Sequence, residues 1–105
     1  GIFTCIRNER NIKIHCTGAL LVVIAGAVLG ITPTEWCICL TLFGLVIALE
    51  RVNSAIESVV DLVTTERKPL AKTAKDTAAG AVLVAAIMSA IVGLIIFVPR
   101  IASLL

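Results

Sequence analysis

The chain has 105 residues, is 59 % hydrophobic with only 15 % charged residues, and carries a net charge of +2. Its mean hydropathy is +1.09, which excludes an ordinary water-soluble domain and points to an all-α membrane protein. The small net charge identifies no partner, and nucleic acid is not expected as one.

The first segment, GIFTCIRNERNIKIH, is short and charged, and is expected to form an interfacial amphipathic helix over 2–14. The chain opens on Gly1 rather than Met, so further residues are expected ahead of it. Three uncharged runs follow, at 16–34, 36–49 and 77–99. Crossing a hydrocarbon core of about 30 Å takes roughly 20 helical residues. The first and third runs meet that length; the second, at fourteen residues, does so only by continuing through Glu50. No cleavage signature with a globular region behind it marks the first run as a signal peptide.

Span one is expected at about 16–31, stopping at Thr32-Pro33 because proline disfavours helical geometry in the residue before it. Span two is expected at about 34–64, with Thr34 as N-cap and Glu35 in its first turn. Pro69 marks the next loop, and span three is expected at about 71–98, ended by Pro99. Gly26 and Gly30, and Ala85, Ser89 and Gly93, recur at the four-residue interval of close-packed membrane helices. Three spans are few to surround a polar site, so a homo-oligomer is expected to cover it. The whole chain reads as one domain.

Charge distribution sets a topology. Arg7, Arg10 and Lys13 precede span one, and Arg67, Lys68, Lys72 and Lys75 surround the start of span three, whereas Thr32 to Glu35 hold no base. The positive-inside rule puts the N-terminus and the second loop in the cytoplasm, with Arg100 a lone exception on the far side. Trp36 fits the aromatic belt there. Of the four cysteines, Cys5 and Cys16 fall on the reducing side and Cys37-Ile-Cys39 lacks the two-residue gap of zinc knuckles. They read as small apolar fillers.

The chemistry concentrates in ALERVNSAIESVVD. Glu50, Asn53, Glu57 and Asp61 are spaced i, i+3, i+7, i+11, which places them within a stripe roughly 80° wide on one helix face. Two readings stand for it: carboxylates that reach water and pair with Arg51 or the loop lysines, or a binding site that justifies costly polar groups at a membrane edge. Glu50 and Glu57 lie about 10 Å apart along the axis. That suits two separate jobs, a general base and a ligand to a hard cation, better than one shared metal. A second group, Glu66, Lys72, Lys75 and Asp76, lies in the basic loop and the start of span three, ahead of the small run AAGA. It suits phosphate, or it only sets topology. Glu9, among three cations, is on its own an ordinary surface ion pair, and His15 reads as structural rather than as a ligand. The phosphate loop GxxxxGK[ST], the protein-kinase loops and HExxH are all missing from the sequence.

Two blocks, ALERVNSAIESVVD and AKDTAAGAVL, resemble the prokaryotic diacylglycerol kinase family of small membrane-integral lipid kinases; the first fits E-x-x-N-[ST]-A-I-E-x-x-V-D. ERNIKIH is a weaker third match, similar to a Gram-positive branch that phosphorylates undecaprenol, although Ile12 and Lys13 stand where many members have phenylalanine and arginine. The resemblance implies a homotrimer of three-span subunits in a bacterial plasma membrane, active site toward the cytoplasm, moving the ATP γ-phosphate to a lipid hydroxyl. It implies Glu50 as general base, Asn53 as support for the γ-phosphate and that base, and Glu9 and Glu57 as Mg2+ ligands. Lys75 and Asp76 would contact the nucleotide, with Glu66 a weaker contact. Undecaprenol is the favoured acceptor and diacylglycerol the alternative. A rival of another class is a small multidrug-type transporter subunit, which would need a fourth span and a carboxylate deep in the first.

Overall fold

Three helices account for the computed structural model, which describes the backbone of residues 2–105 and the side chains of residues 13–105. They are α1 (Ile2–Leu29), α2 (Pro33–Val63) and α3 (Pro69–Leu104). α2 and α3 pack along their length as an antiparallel pair, and α1 touches both sparsely. The bundle is a rod of 54 × 25 × 22 Å.

α1 is unbroken where two helices were expected. No proline or glycine falls between Ile2 and Thr17, so nothing in the local chemistry interrupts the backbone ladder between the charged segment and the apolar run. α1 ends at Leu29 rather than 31. Gly30 takes a left-handed φ of +67°, and the Ile31 N–H donates to the Gly26 carbonyl at 3.1 Å, closing a Schellman-type cap with Ile31 buried under it.

The N-cap of α2 is Thr32, not Thr34. Its hydroxyl accepts from the Glu35 N–H at 3.2 Å, and Glu35 Oε1 accepts from the Thr32 N–H at 2.9 Å, a complete capping box. Pro33 and Pro69 are helix starters, each in the first turn, where a missing N–H costs nothing. Pro99 does not end α3; it lies inside it. Its ring removes one ladder bond, but the helix resumes, with Ser103 Oγ donating to the Arg100 carbonyl at 2.7 Å. Beyond the proline, Arg100 pairs with Glu35 and reaches the Gly30 carbonyl at 3.5 Å, tying α3 to the α1–α2 turn.

Packing between helices depends on small residues. A Cβ on Gly26 would lie 2.8 Å from Trp36 Cη2, so the indole of α2 rests directly on the α1 backbone, an inter-helix role beyond the interfacial one expected for Trp36. Ala78 and Ala85 of α3 are buried, whereas Gly30 and Gly93 meet no neighbour within 4 Å. Among the described residues only Ile31, Ala78, Ala85 and Ile96 are buried hydrophobics, while Leu62, Leu70, Val28 and many other large apolar side chains face outward. An exterior of this kind needs lipid or other copies of the chain around it. α2 and α3 are each long and apolar enough to cross a bilayer; the stretch Lys13–Leu29 of α1 is apolar but shorter. The protein is an all-helical membrane protein.

Candidate active site

The polar stripe lies on the second half of α2 with its side chains half covered or exposed. Glu50 begins it. Its Oε2 meets Nε2 of His15 on α1, with side-chain exposures of 17 and 25 %. A turn later, Asn53 Nδ2 donates to Glu57 Oε1 at 3.4 Å. Asn53 Oδ1 is buried and, among the described residues, has no hydrogen-bond partner. A buried acceptor without a donor is costly, and Asn53 stands on the stripe between Glu50 and Glu57.

The stripe leads into a cleft of about 550 Å3 between the end of α2, the 64–68 loop and the start of α3. Asp61, Glu66, Lys72, Lys75 and Asp76 all line it. Thr64 caps α2 through its N–H to the Val60 carbonyl at 2.9 Å, and its hydroxyl accepts from the Glu66 N–H at 3.1 Å. That turn brings Glu66 to Lys68, 3.0 Å apart. On α3, Lys72 Nζ donates to Asp76 Oδ2 at 2.8 Å. Lys75 Nζ crosses to α2 and donates to Asp61 Oδ1 at 2.6 Å. Asp61 thereby acquires a role that its sequence position left open: it fixes one of three donors on Lys75 and leaves two for a ligand. Arg67, Lys68, Lys72 and Lys75 line the cleft beside the carboxylates of Asp61, Glu66 and Asp76, so its lining is basic by one charge.

The structure therefore brings together Glu50, Asn53 and Glu57 in one line, and Glu66, Lys75 and Asp76 in one cleft at its end. Glu9 lies outside the residues whose side chains are described. Sequence reasoning missed His15 as a contact of Glu50. Only its place at the edge of the uncharged run, at the level where the stripe begins, could have signalled it. Cys16, Cys37 and Cys39 are free thiols.

The donor set of the stripe fits Mg2+. That ion takes one or two carboxylates and leaves its other positions to water and substrate phosphates. Glu57, steadied by the Asn53 amide, supplies one carboxylate of the kind that ion takes.

The sequence was also compared with known proteins. The sequence model of the prokaryotic diacylglycerol kinase family matches residues 1–97. The chain is 47 % identical over 100 residues to an undecaprenol kinase of Bacillus subtilis, covering 95 % of this chain and 81 % of that one. It is 39 % identical to a diacylglycerol kinase of Synechocystis, over all of this chain and 61 % of that one. A diacylglycerol kinase of Haemophilus influenzae is 35 % identical over 81 % of this chain and 72 % of its own length. No solved structure matches.

Proposed function

For a chain that belongs to the prokaryotic diacylglycerol kinase family, and is thus an ATP-dependent lipid kinase rather than a transporter subunit, we propose undecaprenol as the phosphoryl acceptor. The Bacillus subtilis relative's named substrate and the ERNIKIH block support that choice. The names of the other two relatives favour diacylglycerol as the second reading. Both acceptors are apolar chains that end in a primary hydroxyl.

One observation carries the mechanism: a single face of α2 runs from Glu50 through Asn53 and Glu57 into a cleft lined by lysines. Phosphoryl transfer needs positioning and charge neutralisation more than covalent help. Lys75, held by Asp61, and Asp76 take the nucleotide in the cleft, with Glu66 at its rim. Glu57 and Glu9 would hold Mg2+, which would neutralise charge on the phosphate oxygens. The Asn53 amide steadies Glu57 through one N–H and has a second N–H for a γ-phosphate oxygen. Glu50, two turns away at head-group depth, accepts the proton of the lipid hydroxyl as that oxygen attacks the γ-phosphorus. A base there must lie within hydrogen-bond reach of the hydroxyl, which a lipid at the interface satisfies without leaving the membrane.

The assembly is a homotrimer of three-span subunits with the active site facing the cytoplasm of a bacterial plasma membrane. The large apolar side chains uncovered on every helix and the bases Arg67, Lys68, Lys72 and Lys75 around the start of α3 support this arrangement. The test is a kinase assay in detergent or bilayer with Mg-ATP, undecaprenol set against diacylglycerol. Faster transfer to undecaprenol is expected. A preference for diacylglycerol removes the choice of acceptor, and transfer to no lipid alcohol by folded protein removes the site.

A further inference from the structure

Among the described residues, one polar side-chain contact joins α1 to α2, and it falls on Glu50. His15 lies 35 residues away in sequence, on a helix that otherwise touches α2 sparsely. Both side chains are largely covered, so water competes weakly for the contact. The contact engages Oε2 through Nε2 and leaves Oε1 to another donor. A base oriented by a third group is the arrangement by which an active site keeps one lone pair aimed at the proton to be removed.

We propose that His15 is a positioning residue for Glu50, its Nε2–H donating to Oε2 so that Oε1 faces the lipid hydroxyl. This rests on Glu50 being the base. In the step, the hydroxyl proton passes to Glu50 Oε1 and the lipid oxygen forms its bond to the γ-phosphorus. The bond from that phosphorus to the β,γ-bridging oxygen breaks, and its electron pair leaves on ADP. His15 keeps its own proton throughout. The imidazole also fixes where α1 sits against α2, so the segment that carries Glu9 is anchored at the same point as the base.

The test compares His15→Leu, His15→Gln, His15→Asn and Glu50→Gln in the full chain, with undecaprenol and Mg-ATP, each checked by thermal unfolding and gel filtration. The glutamine amide nitrogen can stand where Nε2 stands; the asparagine nitrogen is too short to reach. His15→Leu is expected to lower kcat about 10- to 100-fold, as loss of a supporting hydrogen bond does, while KM for ATP changes by less than about twofold. His15→Gln is expected to recover most of that rate and His15→Asn little of it. Wild-type kcat in His15→Leu overturns the proposal. So does a loss confined to ATP KM, or equal rates for the glutamine and asparagine variants, a comparison that stands even if the leucine variant does not fold. An active Glu50→Gln removes the base reading itself, whereas an inactive Glu50→Gln beside a fast His15→Leu removes only the role of His15.

Discussion

The two ends of the bundle use the same ingredients, ion pairs and helix termini, to opposite effect. At the turn between α1 and α2, a glycine cap, a capping box, an indole on a bare backbone and the Glu35–Arg100 pair all close on one another. Glu35 and Arg100 are 21 and 30 % exposed, and every strong group there has a partner within the chain. At the loop between α2 and α3, the three pairs Asp61–Lys75, Glu66–Lys68 and Lys72–Asp76 lie open, with exposures from 40 to 80 %. Exposed pairs contribute little to stability and exchange readily with solvent or ligand. One end is built to stay shut and the other to trade partners, so substitutions at the first should register as stability and at the second as activity.

The sharpest break of that division is Glu50→Gln. It is expected to cost about 10²- to 10⁴-fold in kcat, the worth of a general base, with the chain still folded because the glutamine carbonyl can go on accepting from His15. A folded variant of undiminished rate would detach the stripe from the chemistry. Glu57→Ala comes next, with a rise of about 10- to 100-fold in the Mg2+ concentration needed for half-maximal rate and a higher KM for ATP. An unchanged requirement would return Glu57 to the structural side. At the closed end the expectation inverts. Gly26→Ala pushes a methyl group against Trp36 and should destabilise by about 1–3 kcal/mol, as overpacking does, seen by thermal unfolding in detergent while kcat of the folded fraction holds. The smallest effect belongs to Lys75→Ala: a rise of roughly tenfold in ATP KM, the worth of one charge-assisted hydrogen bond to phosphate. It is smaller again for Asp61→Asn, which frees Lys75 without removing it. If Asp61→Asn were the more damaging, Asp61 would act on substrate and not through Lys75.

The apolar runs and the stripe were legible in the sequence because both depend on local order: hydropathy over a window, and a period of 3.6 residues. Proline was harder to read. Taken as a stop at Pro33 and Pro99, it is a start at Pro33 and Pro69 and an interior residue at Pro99, since its effect depends on which backbone donor would otherwise go unmet. The cap of α2 fell to Thr34 instead of Thr32 in the sequence reading for the same reason. Part of the site was out of reach. Lys75 meeting Asp61 is a fourteen-residue closure across one loop, and lysines near a carboxylate hinted at it. His15 meeting Glu50 is a packing result across 35 residues, with no periodicity to announce it. Contacts of that kind follow from how helices dock, which small residues permit but do not specify.

α3 has 36 residues, a length of about 54 Å at 1.5 Å per residue, far more than the roughly 30 Å of hydrocarbon it has to cross. Its uncharged part, 77–99, is near the bilayer dimension, and the turns before it carry Lys72, Lys75 and Asp76 into water. Because the helix is continuous, the height of those groups above the membrane is set by how the apolar part matches the surrounding lipid. A thicker or thinner host bilayer tilts or draws in the rod at a modest cost for each ångström of mismatch. Lys72, Lys75 and Asp76 then shift in height relative to the membrane surface. The thickness of the host bilayer thus sets how far this charged end of the rod stands out from it.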